Sequence, residues 1–284
     1  MKPATERLAR WFADNGRPLP WRSPTVGPWG VLVSEVMLQQ TPVTRVIGVW
    51  LAWLDRWPTP AALAAAPRAD VIRAWGRLGY PRRAIRLHET AVAIQHSHGG
   101  QVPSDEAALL RLPGIGSYTA AAVMAFGFGK RSLVLDVNVR RVLARWVDGN
   151  PRQDRHESVA ERRRAAHLVP RPDQEAAAWS AAIMELGALV CTAAQPACED
   201  CPLQPDCAWL AAGRPEATGP APRTQAWVGT DRQCRGTIMA AVRASQEPVA
   251  LREIAWPDEI QLHRCAHSLS DDGLATTAGG LIWL

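Results

Sequence analysis

Four cysteines in the second half of the chain, Cys191, Cys198, Cys201 and Cys207, follow the spacing C-x6-C-x2-C-x5-C. The stretch that contains them is short and broken by Pro196, Pro202 and Pro205, so all four thiols can reach one centre. Thiolates packed this closely repel one another and lose hydration, which disfavours their charged forms unless they bind something. Tetrahedral zinc and an iron–sulfur cluster both take four thiolates. A disulfide framework is the weaker alternative in a chain with no secretory features.

With 284 residues the chain can form one large domain and a small one, or two moderate domains. Hydrophobic residues make up 47% and charged ones 21%, ordinary values for a soluble globular protein. A net charge of +5 and a pI near 9.1 favour a polyanionic partner, although a plain basic surface would give the same values. The opening MKPATERLARWF lacks the apolar core of a signal peptide, and no apolar run is long enough to span a bilayer. A bacterial cytoplasmic location, alongside the nucleoid, is therefore expected. Lysine occurs only at Lys2 and Lys130, so nearly all positive charge is arginine. The planar arginine fork suits phosphate, but it stays protonated and cannot act as an amine nucleophile.

The first two hundred residues carry helical periodicity and none of the alternation suited to a sheet, which predicts an all-α domain. Thr59-Pro60 leads into AALAAAP, and ADVIRAWGRLG gives a second short helix ending at Gly79. Ser104 and Asp105 open SDEAALLRL, which stops at Pro113-Gly114, and the next helix starts at Ser117 and runs through YTAAAVMAFGFG. SLVLD is a short apolar run, Asp136 leads VNVRRVLARW, and AAAWSAAIMELGALVC is an apolar helix that delivers its end to Cys191. Residues 211–230 read as a linker rich in Pro, Gly and Thr. Residues 231–284 read as a separate module: a helix in RGTIMAAVRAS, a turn and second helix in PVALREI, a third in PDEIQLHRCAHSL, and a hairpin around Gly279-Gly280. Three short helices followed by a hairpin is the order of a winged helix.

Two further motifs join the cysteines. LPGIGSYTA at 112–120 sets Gly114 and Gly116 between helices, leaving backbone N–H groups available to a phosphate; alone it could be a tight helix–helix turn. LDVNVRRV follows at 135–142. VSEVMLQQT at 33–41 places a glutamate in an apolar helix, where by itself it could equally be a structural carboxylate. Together with the cysteine spacing, these motifs resemble the endonuclease III/MutY family of helix–hairpin–helix DNA glycosylases over residues 1–210. VSEVMLQQT resembles the adenine-removing branch of that family. The resemblance implies a mainly α, two-lobed glycosylase domain, with the N-terminal helix and 135–210 forming an iron–sulfur lobe and 26–134 a helical-barrel lobe. It also implies a [4Fe–4S] cluster on Cys191, Cys198, Cys201 and Cys207, and a monomer acting in base excision repair on double-stranded DNA. The substrate would be adenine mispaired with 8-oxoguanine or guanine.

The same resemblance assigns roles. Glu35 would be the general acid that protonates the departing adenine, kept protonated by burial among Val33, Val36, Met37 and Leu38. Asp136 would face the oxocarbenium-like sugar or attack it, with Tyr118 and Asn138 orienting the carboxylates. Two carboxylates with opposed pKa demands across a glycosidic bond is the logic of glycoside hydrolysis. Tyr118 stands where lyase-active relatives carry a lysine, and no lysine lies near it, so a monofunctional glycosylase that leaves an abasic site is expected. Trp21 and Arg22 of LPWR match the adenine pocket, although Trp21 could equally be core in a chain with 13 tryptophans. Gln40 and Thr41 match the loop that invades the DNA helix, and Leu78 and Tyr80 of RLGY match a wedge that offsets unstacking. The family usually has two tyrosines there, whereas Pro81 follows Tyr80 here.

The resemblance ends before residues 231–284, where well-studied adenine glycosylases continue into a Nudix-like β domain that reads 8-oxoguanine. The winged-helix-like tail could grip DNA instead, through His263, Arg264 and His267, or serve as a packing module. Two other readings stand beside the leading one. Thymine removal from G·T mismatches shares the hairpin tyrosine but departs at the double glutamine, intact here as Gln39-Gln40. A non-catalytic iron–sulfur DNA-binding regulator is the alternative outside enzymes.

Overall fold

The structure, a computed structural model, describes residues 2–217 and 226–284, so the middle of the expected linker lies outside the described residues. In chain order the helices of the first part are α1 (Lys2–Asn15), α2 (Pro28–Leu38), α3 (Val43–Arg56), α4 (Pro60–Ala64), α5 (Arg68–Trp75) and α6 (Arg82–Ser97). They continue as α7 (Glu106–Leu110), α8 (Ser117–Ala122), α9 (Val137–Trp146), α10 (Val159–Leu168), α11 (Asp173–Leu189) and α12 (Ala208–Ala211). The tail adds α13 (Asp231–Ala244), α14 (Glu259–Asp271) and three short strands, β1 (Val249–Ala250), β2 (Thr276–Ala278) and β3 (Leu281–Trp283). Among the described residues before 218 there is no strand, as the periodicity requires. No helix among them is long and apolar enough to cross a membrane.

The chain divides into two compact units. One comprises Met1–Glu35, Pro103–Arg111 and Ile115–Pro220; the other comprises Val36–Val102, Leu112–Gly114 and Ala221–Leu284. In the first, Leu8 of α1, Val139 and Val142 of α9, Ala165 of α10, and Ile183 and Leu186 of α11 form one core. Helix α9 begins where the Asp136 side chain accepts a hydrogen bond from Val139 N at 2.7 Å, satisfying an otherwise orphaned donor of the first turn. Glu185 lies in the apolar α11 and is fully buried, yet Arg17 grips it through Nε and Nη2 (2.7 and 2.9 Å) and Arg22 through Nη2 (2.9 Å). Burial alone would raise its pKa, but these hydrogen bonds hold it at about 2.

In the second unit Trp53 meets Trp57 and Trp75 edge-on, with ring centroids 4.6 and 5.6 Å apart. Helix α5 stops at Gly76, earlier than the expected Gly79, because Gly76 takes a left-handed φ of 56° and turns the chain. The tail hairpin turns through Gly279 and Gly280, both at positive φ (58° and 77°), the conformation that a two-residue turn between twisted strands demands. The expected helix in PVALREI is not formed. Val249 and Ala250 pair with β3 to give the sheet order β1-β3-β2, and a single 3-10 turn, Leu251–Glu253, follows. A β-branched residue beside a free strand edge gains more from pairing than such a short segment gains from one helical turn.

The tail does not close its core alone. Ile238, Val242, Leu251, Leu262, Leu269 and Ile282 share one cluster with Ile72 of α5 and Ile85 of α6. Arg68 and Arg73 donate to the carbonyls of Gly273 (3.3 Å) and Ser245 (3.2 Å), and Asp272 is bridged by Arg82 and Arg235. Ile85→Ala in the full chain is therefore expected to cost about 2–5 kcal/mol and to loosen α6 and α14 together. Hydrogen exchange would show this; protection of 262–269 that survives while α6 opens would refute the shared core.

Candidate active site and cysteine-lined cavity

Glu35 sits in α2 among Leu32, Val33, Val36 and Met37 and is 5% exposed. Its neighbour from the first turn of α8 is Tyr118, whose Oη donates to Glu35 Oε2 at 2.9 Å. Burial pushes the Glu35 carboxyl up to about 7; the Tyr118 hydrogen bond and the Arg22 charge oppose this, and the Asp136 charge adds to it. Burial, then the two carboxylates, raise the Tyr118 hydroxyl well above its ordinary value, so it remains a donor. Asp136 is raised by burial, while hydrogen bonds from Val139 N and from Asn138 (Nδ2 to Oδ2, 2.8 Å) and the charge of Arg141 pull it back. Glu35, Tyr118, Asp136 and Asn138, far apart in sequence, thus form one electrostatically coupled cluster in the first unit.

A second layer fixes Asp136. Asn138 Oδ1 accepts from Arg141 Nη2 (2.8 Å), and Arg141 also donates to the carbonyls of Gly187 (2.6 Å) and Cys191 (2.8 Å). A Cβ on Gly187 would stand 2.8 Å from Asn138 Cβ and 2.9 Å from its carbonyl oxygen. Only glycine lets α11 come this close to the start of α9.

One helical turn beyond Arg141, the buried Arg145 donates to the carbonyls of Pro151 (2.8 Å), Thr192 (2.6 Å) and Ala193 (3.0 Å), approaches Cys191 Sγ at 3.5 Å, and lies over the Trp209 ring. Arg7 of α1 donates to Pro202 O at 2.8 Å and pairs with Asp206. Inside this frame Cys191, Cys198, Cys201 and Cys207 all line one small cavity. Without a cation, burial and the other three cysteines push the Cys201 thiol up to about 12. Among the described residues no three Cys, His, Asp or Glu side chains come together in a group suited to one metal ion. Four thiols lining one cavity are the donor set that either zinc or an iron–sulfur cluster takes.

The remaining expected residues are more dispersed in environment. Trp21 is buried in the 3-10 turn Pro20–Arg22, and Arg22 is committed to Glu185 and to Arg17 O (3.1 Å), over the Phe12 ring. Thr41 and Leu78 are buried, whereas Gln40 and Tyr80 are exposed, with positive φ of 54° and 45°. Leu78 therefore belongs to the interior, and Tyr80, 50% exposed, is the member of that pair presented to solvent. Gly114 is exposed at φ 76°, with its turn tied down by Thr90 Oγ1 to Pro113 O (2.6 Å). Gly116 is exposed and precedes the first residue of α8. Sequence reasoning missed Glu185, Arg17, Arg141, Arg145, Gly187 and Arg83. A lone glutamate inside AAAWSAAIMELGALVC was the one available signal among them.

Residues 33–167 match the family described as HhH-GPD superfamily base excision DNA repair protein. The adenine DNA glycosylase of Mycobacterium tuberculosis (strain ATCC 25618 / H37Rv) is 50% identical over 273 residues, 95% of this chain and 89% of that protein. That of Mycolicibacterium smegmatis is 50% identical over 277 residues, 96% of this chain and 93% of its own. A solved thermostable thymine-DNA glycosylase superposes with a TM-score of 0.66 at 26% identity, covering 73% of this chain and 95% of that one. The chain belongs to the adenine DNA glycosylase family within the HhH-GPD superfamily.

Gly187→Ala is expected to displace Asn138, to cost about 1–3 kcal/mol as an overpacked contact, and to lower the rate of base release. Thermal melting paired with single-turnover kinetics checks this; full activity in the variant would show that the close approach does not hold Asp136.

Proposed function

We propose that this protein hydrolyses the N-glycosidic bond of adenine in duplex DNA opposite 8-oxoguanine or guanine, as the general acid–carboxylate pair Glu35 and Asp136 allows. The carrying observation is a buried glutamate held near pH 7, hydrogen-bonded to a neutral phenol and coupled to a second carboxylate. Protonated Glu35 gives its proton to a ring nitrogen of the extruded adenine, and the electron pair of the glycosidic bond leaves with the base. Positive charge grows on the sugar ring and is met by the Asp136 carboxylate, which Val139 N, Asn138 and Arg141 bias towards its ionised form. Water then adds at the sugar carbon and loses its proton, leaving an abasic site. Among the described residues no lysine joins Glu35, Tyr118 and Asp136 for Schiff-base chemistry: Lys130 donates its Nζ to Ser104 O (2.9 Å), and Arg140 is bound to Glu161 by both Nε and Nη2. The reaction is therefore monofunctional.

Gln40, Thr41 and Tyr80 serve the opening of the duplex, and Gly114 and Gly116 receive backbone phosphates. The four cysteines hold a [4Fe–4S] cluster, which as a bound polycation would favour thiolates that burial otherwise keeps protonated. Helix α13, β1, the 3-10 turn, α14 and the β2–β3 hairpin make a winged-helix-like module. It holds five arginines against seven acidic residues, and Arg264 is paired with Asp231 (2.7 Å), so packing suits it better than gripping DNA. The substrate sets a cytoplasmic, nucleoid-associated location.

Glu35→Gln is expected to bind an A·8-oxoguanine duplex and to release no base; substantial residual excision would remove Glu35 from its role. In the wild type, single-turnover release should fall as pH rises through about 7, where Glu35 loses its proton. The sign for stability is the same, since a carboxyl that binds its proton more tightly when folded adds stability below its folded pKa and loses it above. Strand breaks should appear only after alkali; breaks without alkali would overturn the monofunctional reading. The purified protein should absorb broadly in the blue and lose that band in Cys198→Ser, whereas a colourless wild type carrying one zinc would refute the cluster.

A further inference from the structure

Arg83, at the start of α6, donates through Nη1 to the carbonyls of Val36 (2.9 Å), Met37 (2.8 Å) and Gln39 (2.6 Å). Through Nη2 it donates to Thr41 Oγ1 (2.8 Å) and to the carbonyls of Leu78 (3.4 Å) and Gly79 (3.0 Å). Its guanidinium lies 5.1 Å from the Trp75 ring centroid and 5.7 Å from that of Tyr80. One side chain thereby closes the carbonyl end of α2, the Gln39–Thr41 turn and the Leu78–Tyr80 turn. The two turns also touch directly, with Thr41 Oγ1 donating to Leu78 O (3.3 Å), and Trp75 Nε1 at the end of α5 donates to Gly79 O (2.9 Å). Each turn carries a non-glycine residue at positive φ, Gln40 and Tyr80. Such conformations cost roughly 1–3 kcal/mol each and persist only where the surroundings over-determine them. The Arg83 Nε is buried without a partner, a further cost that the other contacts offset.

We infer that Arg83 is a positioning residue that locks the Gln40 and Tyr80 turns into one duplex-opening element, acting on base extrusion and not on bond cleavage. This rests on the reading of those turns as the DNA-opening part of an adenine glycosylase. Arg83 is half-buried, and both of its Nη groups are committed to the two turns, so it shapes what they present. Lysine keeps the charge but lacks the planar fork, and cannot reach carbonyls on both turns at once.

The test compares single-turnover adenine release from two duplexes, one with adenine opposite 8-oxoguanine and one with adenine opposite a reduced abasic site. An unpaired base is cheaper to flip, so a defect in opening shrinks on the second duplex while a defect in chemistry or folding does not. Arg83→Lys is expected to slow release from the first at least about tenfold, and from the second by much less. A 2-aminopurine beside the target adenine should show a matching loss of fluorescence rise on binding. Thr41→Val, which removes one link between the turns, should give the same asymmetry in weaker form, and it decides the matter if Arg83→Lys does not fold. Equal loss on both duplexes, or no loss in a folded variant, overturns the inference. A wild type that releases no adenine from either duplex overturns the enzymatic reading itself, a distinct result.

Discussion

The first unit depends on keeping one carboxyl out of water without giving it a cation. Two glutamates are buried there, and their neighbours send them in opposite directions. Glu185 faces two arginine forks and is held at about 2, while Glu35 faces a phenol and sits at about 7. Burial penalises both anions, so the partner decides the outcome. Arg22 is the residue that could erase the difference. Its guanidinium is spent on Glu185 Oε2 and Arg17 O, and it reaches Glu35 only as a weak distant charge. The Glu185 network thereby favours the protonated form of Glu35.

Asp136 solves the converse problem. Burial raises it too, but as the N-cap of α9 it takes hydrogen bonds from Val139 N and Asn138, and each of these pulls it back towards the ionised form. Asn138 is in turn held by Arg141, which spans to Gly187 O and Cys191 O. The cysteine loop is therefore part of the mounting for the carboxylate. Arg141 and Arg145, one turn apart on α9, tie that helix to the first cysteine and its neighbours. The missing Cβ of Gly187 lets α11 close on them. The loop that carries the first cysteine thereby bears on the placement of Asp136 through Arg141 and Asn138.

Much of this was legible from residue order. Helical periodicity gave the all-α character, and Asp105, Thr59 and Asp136 act as the caps their positions suggest. The motif VSEVMLQQT and the cysteine spacing led to the family. What residue order could not show falls into two kinds. Local competition misled it at Gly76, where a left-handed turn cut α5 short, and at Val249, where a strand edge elsewhere in the tail won over a short helix. Arginines turned in on the protein misled it more deeply. Arg17, Arg83, Arg141 and Arg145 look like surface charge in a chain rich in arginine, yet they spend their donors on backbone carbonyls and a carboxylate. Nothing in spacing distinguishes a guanidinium that meets phosphate from one that closes a helix end. Leu78 shows the same limit, since a leucine in a wedge motif and a leucine in a core read alike.

The tail acquires a physical meaning from where its core ends. The loop that presents Tyr80 is flanked by α5 on one side and α6 on the other, and each helix contributes one isoleucine, Ile72 and Ile85, to the cluster that the tail completes. Asp272 adds a charge bridge to Arg82, two residues beyond Tyr80. The alignment with the mycobacterial adenine glycosylases leaves out about a twentieth of the chain, so most of residues 231–284 lies inside it. Stiff helices on both sides of a strained turn limit how far that turn can relax, because the left-handed Tyr80 backbone could otherwise unwind into the ends of α5 and α6. An acidic, well-packed tail is suited to that mechanical role, and its charge balance is the opposite of what phosphate binding would select.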